Sequence, residues 1–316
     1  MPHRSQSRLI IILFIGFLAV STASILIRLA QQEHVPVLVI AAYRLTFATL
    51  ILGPLVLRRH LPDFRRLKRR DLLIALASGL FLTLHFATWI SSFDYTSVTS
   101  SVVLVTTGPI WVALASWIIL RERLSRAVVI GVLITVMGGV VIGSADACNP
   151  QTGACNGFAI GGTQLWGDAL ALMGAWMVSG YLLIGRHLKD RMPLLVYIFI
   201  VYGTAAIGLI LIVALSGQSF LFDQAGNIFS VNAFIWLIML ALAPQLLGHS
   251  AYNYALRFLS PTYVAIITVA EPIGASILAF IVLHELPSTL TLIGAAIILI
   301  GLVIASRPAG TDELVT

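Results

Sequence analysis

The sequence predicts an all-α integral membrane protein of about ten transmembrane helices, arranged as two inverted-topology repeats of five helices each. Three observations lead to this prediction. The composition is strongly apolar, one part of the chain repeats another, and the basic residues fall in alternate loops. Together they predict the number of helices, their grouping and their orientation.

The composition excludes a soluble globular domain. Of 316 residues, 59% are hydrophobic and 10% are charged, and the mean hydropathy is +1.00, whereas soluble domains carry about 25% charged residues. A membrane-spanning helix needs about 20 apolar residues, and the apolar runs lack the alternation of a β-barrel strand. We predict spans 1 to 10, in chain order, at residues 9–30, 36–57, 72–93, 97–120, 126–143, 165–185, 193–216, 232–254, 261–283 and 288–306.

The basic residues predict the orientation of these spans. Of the 19 Lys and Arg residues, all but Arg28 and Arg44 lie at the termini or in alternate loops, chiefly 58–70, 121–126 and 186–191. Cytoplasmic loops are enriched in Lys and Arg, so we expect both termini in the cytoplasm and a multi-pass protein of the plasma (inner) membrane. The loop at 60–70 is expected to contact anionic lipid headgroups. Nucleic acid is not an expected partner, because the charge follows the membrane topology.

An internal repeat divides the chain. At an offset of 163 residues, Pro109 falls on Pro272, Glu122 on Glu285 and Gly138 on Gly301. The earlier spans match more weakly, with Arg28 falling on Arg186 at an offset of 158. Because five spans per half is an odd number, the second half enters the membrane in the opposite sense. We predict a first repeat at 1–146, an outward-facing linker at 147–164 and a second repeat at 165–316.

Two features of this plan concern packing and the linker. The pairs Gly131/Gly138 and Gly294/Gly301 each mark one face of a helix, where small residues permit close helix contact. Cys148 and Cys155 lie in the linker, which we expect to face an oxidising compartment. A disulfide is the favoured interpretation and two free thiols the alternative. A metal site is not expected there, because no histidine lies nearby.

Ionisable residues inside the spans are the candidate functional residues. They are costly in a bilayer and usually face the protein interior or a cavity; here they are Arg44, His85, His249 and Glu271. For Arg44, anion binding competes with snorkelling or with pairing to another helix. Asp94 and Asp168 lie near the outward ends of spans and are expected to be solvated.

Spans 4 and 9 are broken by proline at equivalent points. Gly108-Pro109 matches Glu271-Pro272, and proline opens a helical ladder by removing one N–H donor. Irregular backbone at membrane depth survives only when buried in protein or lining a cavity, so both breaks point to a binding site. Glu271 either binds a cationic group or exchanges a proton, or it is a structural residue bonded to a freed carbonyl.

Two polar-aromatic stripes accompany these breaks. His85 and Trp89 in span 3, and Gln245, His249 and Tyr252 in span 8, follow helical spacing. Lining a cavity for an organic solute competes with simple hydrogen bonding between helices. Histidine titrates near neutral pH, so proton coupling stays open. Glu122 and Glu285, at the hinges after spans 4 and 9, are expected to cap or brace these turns, with gating as the alternative.

The repeated pattern resembles the EamA domain. It combines X-Pro in a penultimate span, the hinges Leu120-Arg121-Glu122 and Leu283-His284-Glu285, a serine three residues on, and glycines seven apart in the final span. Tandem copies are typical of EamA-type members of the drug/metabolite transporter superfamily. The resemblance covers nearly the whole chain. It implies a central cavity lined by spans 1, 3, 4, 6, 8 and 9, with spans 5 and 10 supporting. Gly108 in place of a second glutamate departs from strict symmetry.

The sequence therefore predicts a secondary transporter, in the exporting direction, for a small organic metabolite such as an amino acid. Its partners are that solute, with a proton as a second candidate, and the lipid bilayer; oligomeric state is left open. No enzyme activity and no cofactor are expected, because a Walker A motif, a complete zincin motif and a Gly-x-Ser-x-Gly elbow are missing from the sequence. A channel or membrane scaffold and a membrane-embedded enzyme are the alternatives.

Overall fold

The computed structural model describes residues 3–120, 126–146, 163–259, 261–268 and 271–305. Within these ranges the chain is helical apart from short connections, and the helices group into the ten predicted spans. The all-α membrane fold is confirmed. Six helical stretches of 23–29 residues are each long and apolar enough to cross a membrane, and four shorter apolar helices accompany them.

The structure gives the bounds of the spans. Spans 2, 3, 5, 6, 7 and 10 are single helices: Val37–Arg65, Arg69–Ser92, Arg126–Asp146, Thr163–Leu188, Leu194–Ser216 and Thr289–Ala305. Span 1 is the helix pair His3–Ser21 and Ala23–Gln32, and span 4 the pair Val98–Val105 and Gly108–Leu120. Span 8 runs through Val231–Leu240, the π-helical Ala241–His249 and Ser250–Ala255. Span 9 runs through Pro261–Thr268, Glu271–Leu278 and the π-helical Ala279–Leu283.

Local sequence explains several helix ends. Pro36 and Pro193 precede spans 2 and 7 with the same extended backbone conformation, because proline fixes φ and needs no intrahelical acceptor for an N–H. Ser97 and Ser230 cap their helices by accepting a bond from the backbone N–H three residues on. Gly217 ends span 7 in the left-handed conformation, with φ of 71°.

Contacts between connections show that alternate loops share one end of the bundle. At one end, Gln31 bonds to Asp94 at 2.9 Å and Ser230 bonds to Glu33 at 2.6 Å. At the other end, Arg191 pairs with Asp71 at 3.1 Å. We call these ends the outer and inner ends, after the orientation that the charges predict.

Spans 5 and 10 pack against each other through the predicted glycine faces. A Cβ at Gly138 would lie 2.8 Å from the Gly294 carbonyl oxygen, and a Cβ at Gly301 would lie 2.8 Å from the Gly131 carbonyl oxygen. The two contacts are equivalent under the repeat. The prediction of close helix contact at these glycines is confirmed.

Candidate functional site

Four aromatic side chains from spans 3 and 8 meet near the middle of the bundle. His85 stacks on Trp89 with ring centroids 5.6 Å apart and an interplanar angle of 14°. The His249 ring lies 6.3 Å from His85 and 6.4 Å from Tyr252. Each pair is one helical turn apart in its own span, and the rings of the two spans meet through His85 and His249.

Glu271 lies beside these rings at the start of the second segment of span 9. The Tyr252 hydroxyl donates a hydrogen bond to Glu271 Oε1 at 2.7 Å. The buried Pro272 follows in the first helical turn, where a missing N–H costs nothing. Glu271, at the start of this helix, therefore places a carboxylate next to the aromatic cluster.

Span 4 is broken before Gly108-Pro109, and hydroxyl groups donate to backbone carbonyls around this break. Thr106 Oγ1 donates to the Val102 carbonyl at 2.9 Å, and Ser179 Oγ of span 6 donates to the Gly108 carbonyl at 3.2 Å. Pro109 is the second residue of the following helix. The Val102 carbonyl also accepts from the Thr106 N–H at 3.2 Å, so these hydroxyl donors add to the backbone hydrogen bonds around the break.

Arg44 of span 2 is fully buried next to the aromatic cluster. Its Nε donates to Gln245 Oε1 at 2.8 Å, and its guanidinium carbon lies 4.3 Å from the centroid of the Phe86 ring. Both Nη atoms lack a hydrogen-bond partner among the described residues. Arg44 is thus bonded to span 8 through Gln245, and it lies behind the ring-lined wall.

A central cavity of about 60 Å³ is bounded by these groups. Its lining residues come from spans 1, 3, 4, 6, 8 and 9: Val20; His85 and Trp89; Val105, Thr106 and Gly108; Val178, Tyr181 and Leu182; His249 and Tyr252; Thr268 and Glu271. This is the set of spans that the EamA resemblance implies. A water molecule takes up about 30 Å³ in the liquid. In this conformation the cavity therefore has room only for molecules of about the size of water.

A π-helix in span 8 shapes one wall of the site. Residues Ala241–His249 are π-helical and contain Pro244, and single π segments inside α-helices are frequent at functional sites. The wider turn carries Gln245 and His249 to buried positions. Helical spacing in the sequence predicts one stripe for Gln245, His249 and Tyr252 but gives no sign of the π-helix.

Sequence reasoning missed Tyr181 as a lining residue. It lies in span 6 and is almost fully buried, and Asn253 of span 8 donates a hydrogen bond to its hydroxyl. Val178, Tyr181 and Gly185 recur at helical spacing, which is a signal that could have identified this face. Asp168, which we expected to be solvated, is buried and accepts a bond from Thr96; that expectation was wrong, whereas Asp94 is exposed.

Of the two hinge glutamates, Glu285 lies within the described residues. Glu285 Oε1 accepts a hydrogen bond from the Val98 N–H at 2.9 Å, so a residue of the second repeat caps the first turn of span 4. His284, just before it, adopts a left-handed conformation with φ of 54°. Glu122, Cys148 and Cys155 lie outside the described residues.

Two larger cavities lie away from the centre. One of about 470 Å³ opens at the outer end and is lined by polar groups including Gln31, His34 and Asp223. The backbone N–H of Asn227 bonds to the Asp223 carboxylate and holds its pKa below the usual value. The other cavity, of about 500 Å³, lies between spans 4, 5, 6 and 10 and is almost wholly apolar. The central cavity is distinguished by its polar side chains and by the break in span 4 that lines it.

The sequence model of the EamA-like transporter family matches residues 7–144 and 165–307. This chain belongs to the EamA-like transporter family. The match covers both halves, so this EamA-like chain carries the domain twice and is a multi-pass membrane protein of a transporter family. Membership favours a transporter over an enzyme.

Individual relatives agree with the family assignment. An uncharacterized transporter, YxxF, of Bacillus subtilis (strain 168) is 24% identical over 280 residues, covering 86% of this chain and 82% of its own length. An uncharacterized transporter of Clostridium kluyveri is 21% identical over 234 residues, covering 73% and 70%. A solved crystal structure matches 98% of this EamA-like chain and 99% of its own with a TM-score of 0.66 and 20% identity, which shows a shared fold.

Proposed function

We propose that this EamA-like protein is a secondary carrier that exports a small organic metabolite, such as an amino acid or a related solute. The solute binds in the central cavity, and the two five-helix halves expose that cavity to each side of the membrane in turn. The observation that carries the proposal is a cavity with polar and aromatic side chains that is lined by helices of both halves and by the break in span 4. Sites of inverted-repeat carriers lie at such an interface near the bilayer midplane.

The size of the cavity supports alternating access over a channel. A space of about 60 Å³ does not hold an organic solute, since ligand pockets usually measure about 300–1,000 Å³. The helices must therefore move apart before a solute can enter. We interpret the structure as an occluded conformation between two open ones.

The candidate site residues have the following proposed roles. Trp89 and Tyr252 provide apolar surfaces with one polar edge, which suit an organic group. Glu271 receives a cationic group or a proton, and His85 and His249 donate or accept hydrogen bonds to the solute. Gln245 and Arg44 act from behind the wall, and Arg44 supplies a fixed positive charge. Proton coupling through Glu271 would keep the charge of the cavity constant as the solute enters.

The orientation is proposed from the charges. Both termini lie in the cytoplasm, the protein lies in the plasma (inner) membrane, and repeats at 1–146 and 165–316 flank an outward linker at 147–164. The separation of loops between the two ends of the bundle is consistent with this orientation. Pro109 and Pro272 act as hinges, Glu122 braces the turn after span 4, and Glu285 caps the first turn of span 4.

Ligand-induced stabilisation tests the site. Purified protein is screened by thermal shift against amino acids, nucleosides and sugar phosphates, because a ligand that binds the folded state raises the melting temperature. A stabilising compound is then tested on Glu271→Gln and His249→Ala. The matched controls are Asp190→Asn and His187→Ala, which change exposed residues at the inner end.

We expect both cavity variants to lose the shift and both controls to keep it. Retention of every shift by Glu271→Gln and His249→Ala would disprove the site assignment. Counterflow of the same compound is then measured in proteoliposomes. A carrier shows saturable counterflow and a channel does not, so the result separates the two.

A further inference from the structure

The lateral cavity of about 500 Å³ lies on the far side of span 4 from the central cavity. Thr107, Ile110 and Trp111 of span 4 form one wall, and the remaining lining comes from spans 5, 6 and 10. Thr106 and Gly108 face the central cavity instead. The broken section of span 4 is therefore the partition between the two spaces.

The lateral cavity lies at bilayer depth. Val136 lines it and is 60% exposed, and it lies about 15 Å along the helix that begins at Arg126. The neighbouring residues Leu133 and Met137 are also exposed. Exposed apolar side chains in the middle of a membrane helix face hydrocarbon, so the mouth of the cavity opens into the acyl-chain region.

The threonine hydroxyl groups in the lining already have hydrogen-bond partners. The Thr107 hydroxyl donates to the Leu104 carbonyl at 2.7 Å and accepts from Trp111 Nε1 at 3.1 Å. The Thr135 hydroxyl donates to the Gly131 carbonyl at 2.9 Å, and Asp168 accepts from Thr96. Apolar cavities of about 150 Å³ stay dry, whereas an unfilled void loses dispersion contacts along its whole lining. Hydrocarbon is the medium that can fill this space.

We propose that the lateral cavity binds one acyl chain of a bilayer lipid. The chain lies against the broken section of span 4, opposite the central cavity. Gly139 leaves open space, since a Cβ there would meet nothing closer than Leu104 at 4.0 Å, whereas its repeat equivalent, Leu302, is a fully buried side chain.

Photolabelling tests this proposal. The full-length protein is reconstituted in vesicles of phosphatidylcholine that carries a diazirine within one acyl chain, and labelled residues are mapped by mass spectrometry. We expect label on Trp111 and Leu172 inside the cavity, and on Leu133, which is 60% exposed and reports ordinary bilayer contact. Gly139→Leu, which gives the first half the residue that the second half has, should lose the label at Trp111 and Leu172 and keep it at Leu133.

Gly139→Ala is the matched control, because it adds a methyl group without filling the cavity and should keep all three labels. Label confined to Leu133 in the unaltered protein would overturn the proposal. Label at Trp111 and Leu172 that persists in a folded Gly139→Leu variant would do the same. Both variants are checked for folding by size-exclusion chromatography before labelling.

Discussion

The two halves of the molecule use equivalent residues to hold the scaffold and different residues at the central cavity. In the first half, Arg28 donates to the carbonyls of Phe93 and Thr96 at 2.5 and 2.9 Å. In the second, Arg186 donates to the carbonyls of Leu256 and Leu259 at 2.8 and 3.2 Å. The acceptors are 163 residues apart in both cases, so the same clamp is built at the outer and the inner end.

The cavity breaks this equivalence. Glu271 corresponds to Gly108, and Trp89 corresponds to Tyr252. The carboxylate that accepts the Tyr252 hydroxyl has no counterpart in the first half. Symmetric contacts are what an inverted repeat needs in order to exchange two conformations, whereas recognition of a solute without symmetry needs asymmetric groups. Equivalent contacts in the two halves therefore indicate the scaffold, and differences at the central cavity indicate the candidate site.

The largest expected effect comes from the two arginine clamps. Arg28→Ala and Arg186→Ala each leave two carbonyl acceptors without their charged donor, and hydrogen bonds to charged groups contribute about 1.5–3 kcal/mol each. We expect each variant to lose about 3 kcal/mol of the free energy of unfolding. This figure is at the low end for two such bonds, because solvent can replace the lost donor at these half-buried positions. Denaturant titration of the purified protein measures both losses.

The corresponding lysine variants sharpen the comparison. Lysine offers a point charge where arginine offers a planar fork, so Arg28→Lys and Arg186→Lys should recover part of the loss. A large loss at one arginine with none at the other would show that the two ends are not built alike.

A smaller effect is expected at the contact between spans 5 and 10. Gly138→Ala and Gly301→Ala each force a Cβ to within 2.8 Å of a backbone oxygen, and overpacking costs about 1–3 kcal/mol. We expect losses of about 2 kcal/mol that are similar in the two halves. Gly139→Ala, one residue away, has open space and should be nearly neutral. Equal losses at Gly138 and Gly139 would contradict the packing.

The smallest effect is expected at Glu285. Glu285→Ala leaves the Val98 N–H without its acceptor, and loss of a helix N-cap costs about 1 kcal/mol. Glu285→Gln keeps an acceptor oxygen and should cost less. The melting temperatures of the two variants, measured side by side, test this order, and a greater loss in Glu285→Gln would refute the capping role.

Much of the fold could be predicted because it depends on composition and periodicity. The ten spans, the glycine contacts of Gly138 and Gly301 and the equivalence of Arg28 and Arg186 all follow from apolar runs and a fixed offset. The π-helix around Pro244 could not, because proline in an apolar run also fits a simple kink. The burial of Asp168 depends on Thr96, a residue 72 positions away, and no local pattern encodes such a contact.

The candidate site was predicted in outline for the same reasons. His85, His249 and Glu271 stand out because ionisable residues are rare in these spans. The position of Arg44 behind the cavity wall follows from tertiary packing on Phe86, and the lateral cavity is formed by side chains of four different spans. Neither has a local sequence signature.

The central claim is a passage between the halves that opens to each side in turn. Thiol accessibility of Thr106→Cys tests it most directly, in a chain with Cys148 and Cys155 changed to serine, because Thr106 lines the central cavity. Val103→Cys, buried in the same helix, is the control and should not react. A membrane-impermeant thiol reagent should reach Thr106→Cys from either side. Cross-linking cysteines at positions 98 and 285 at the outer end should abolish access from outside alone; reaction from outside that survives this cross-link would contradict the account.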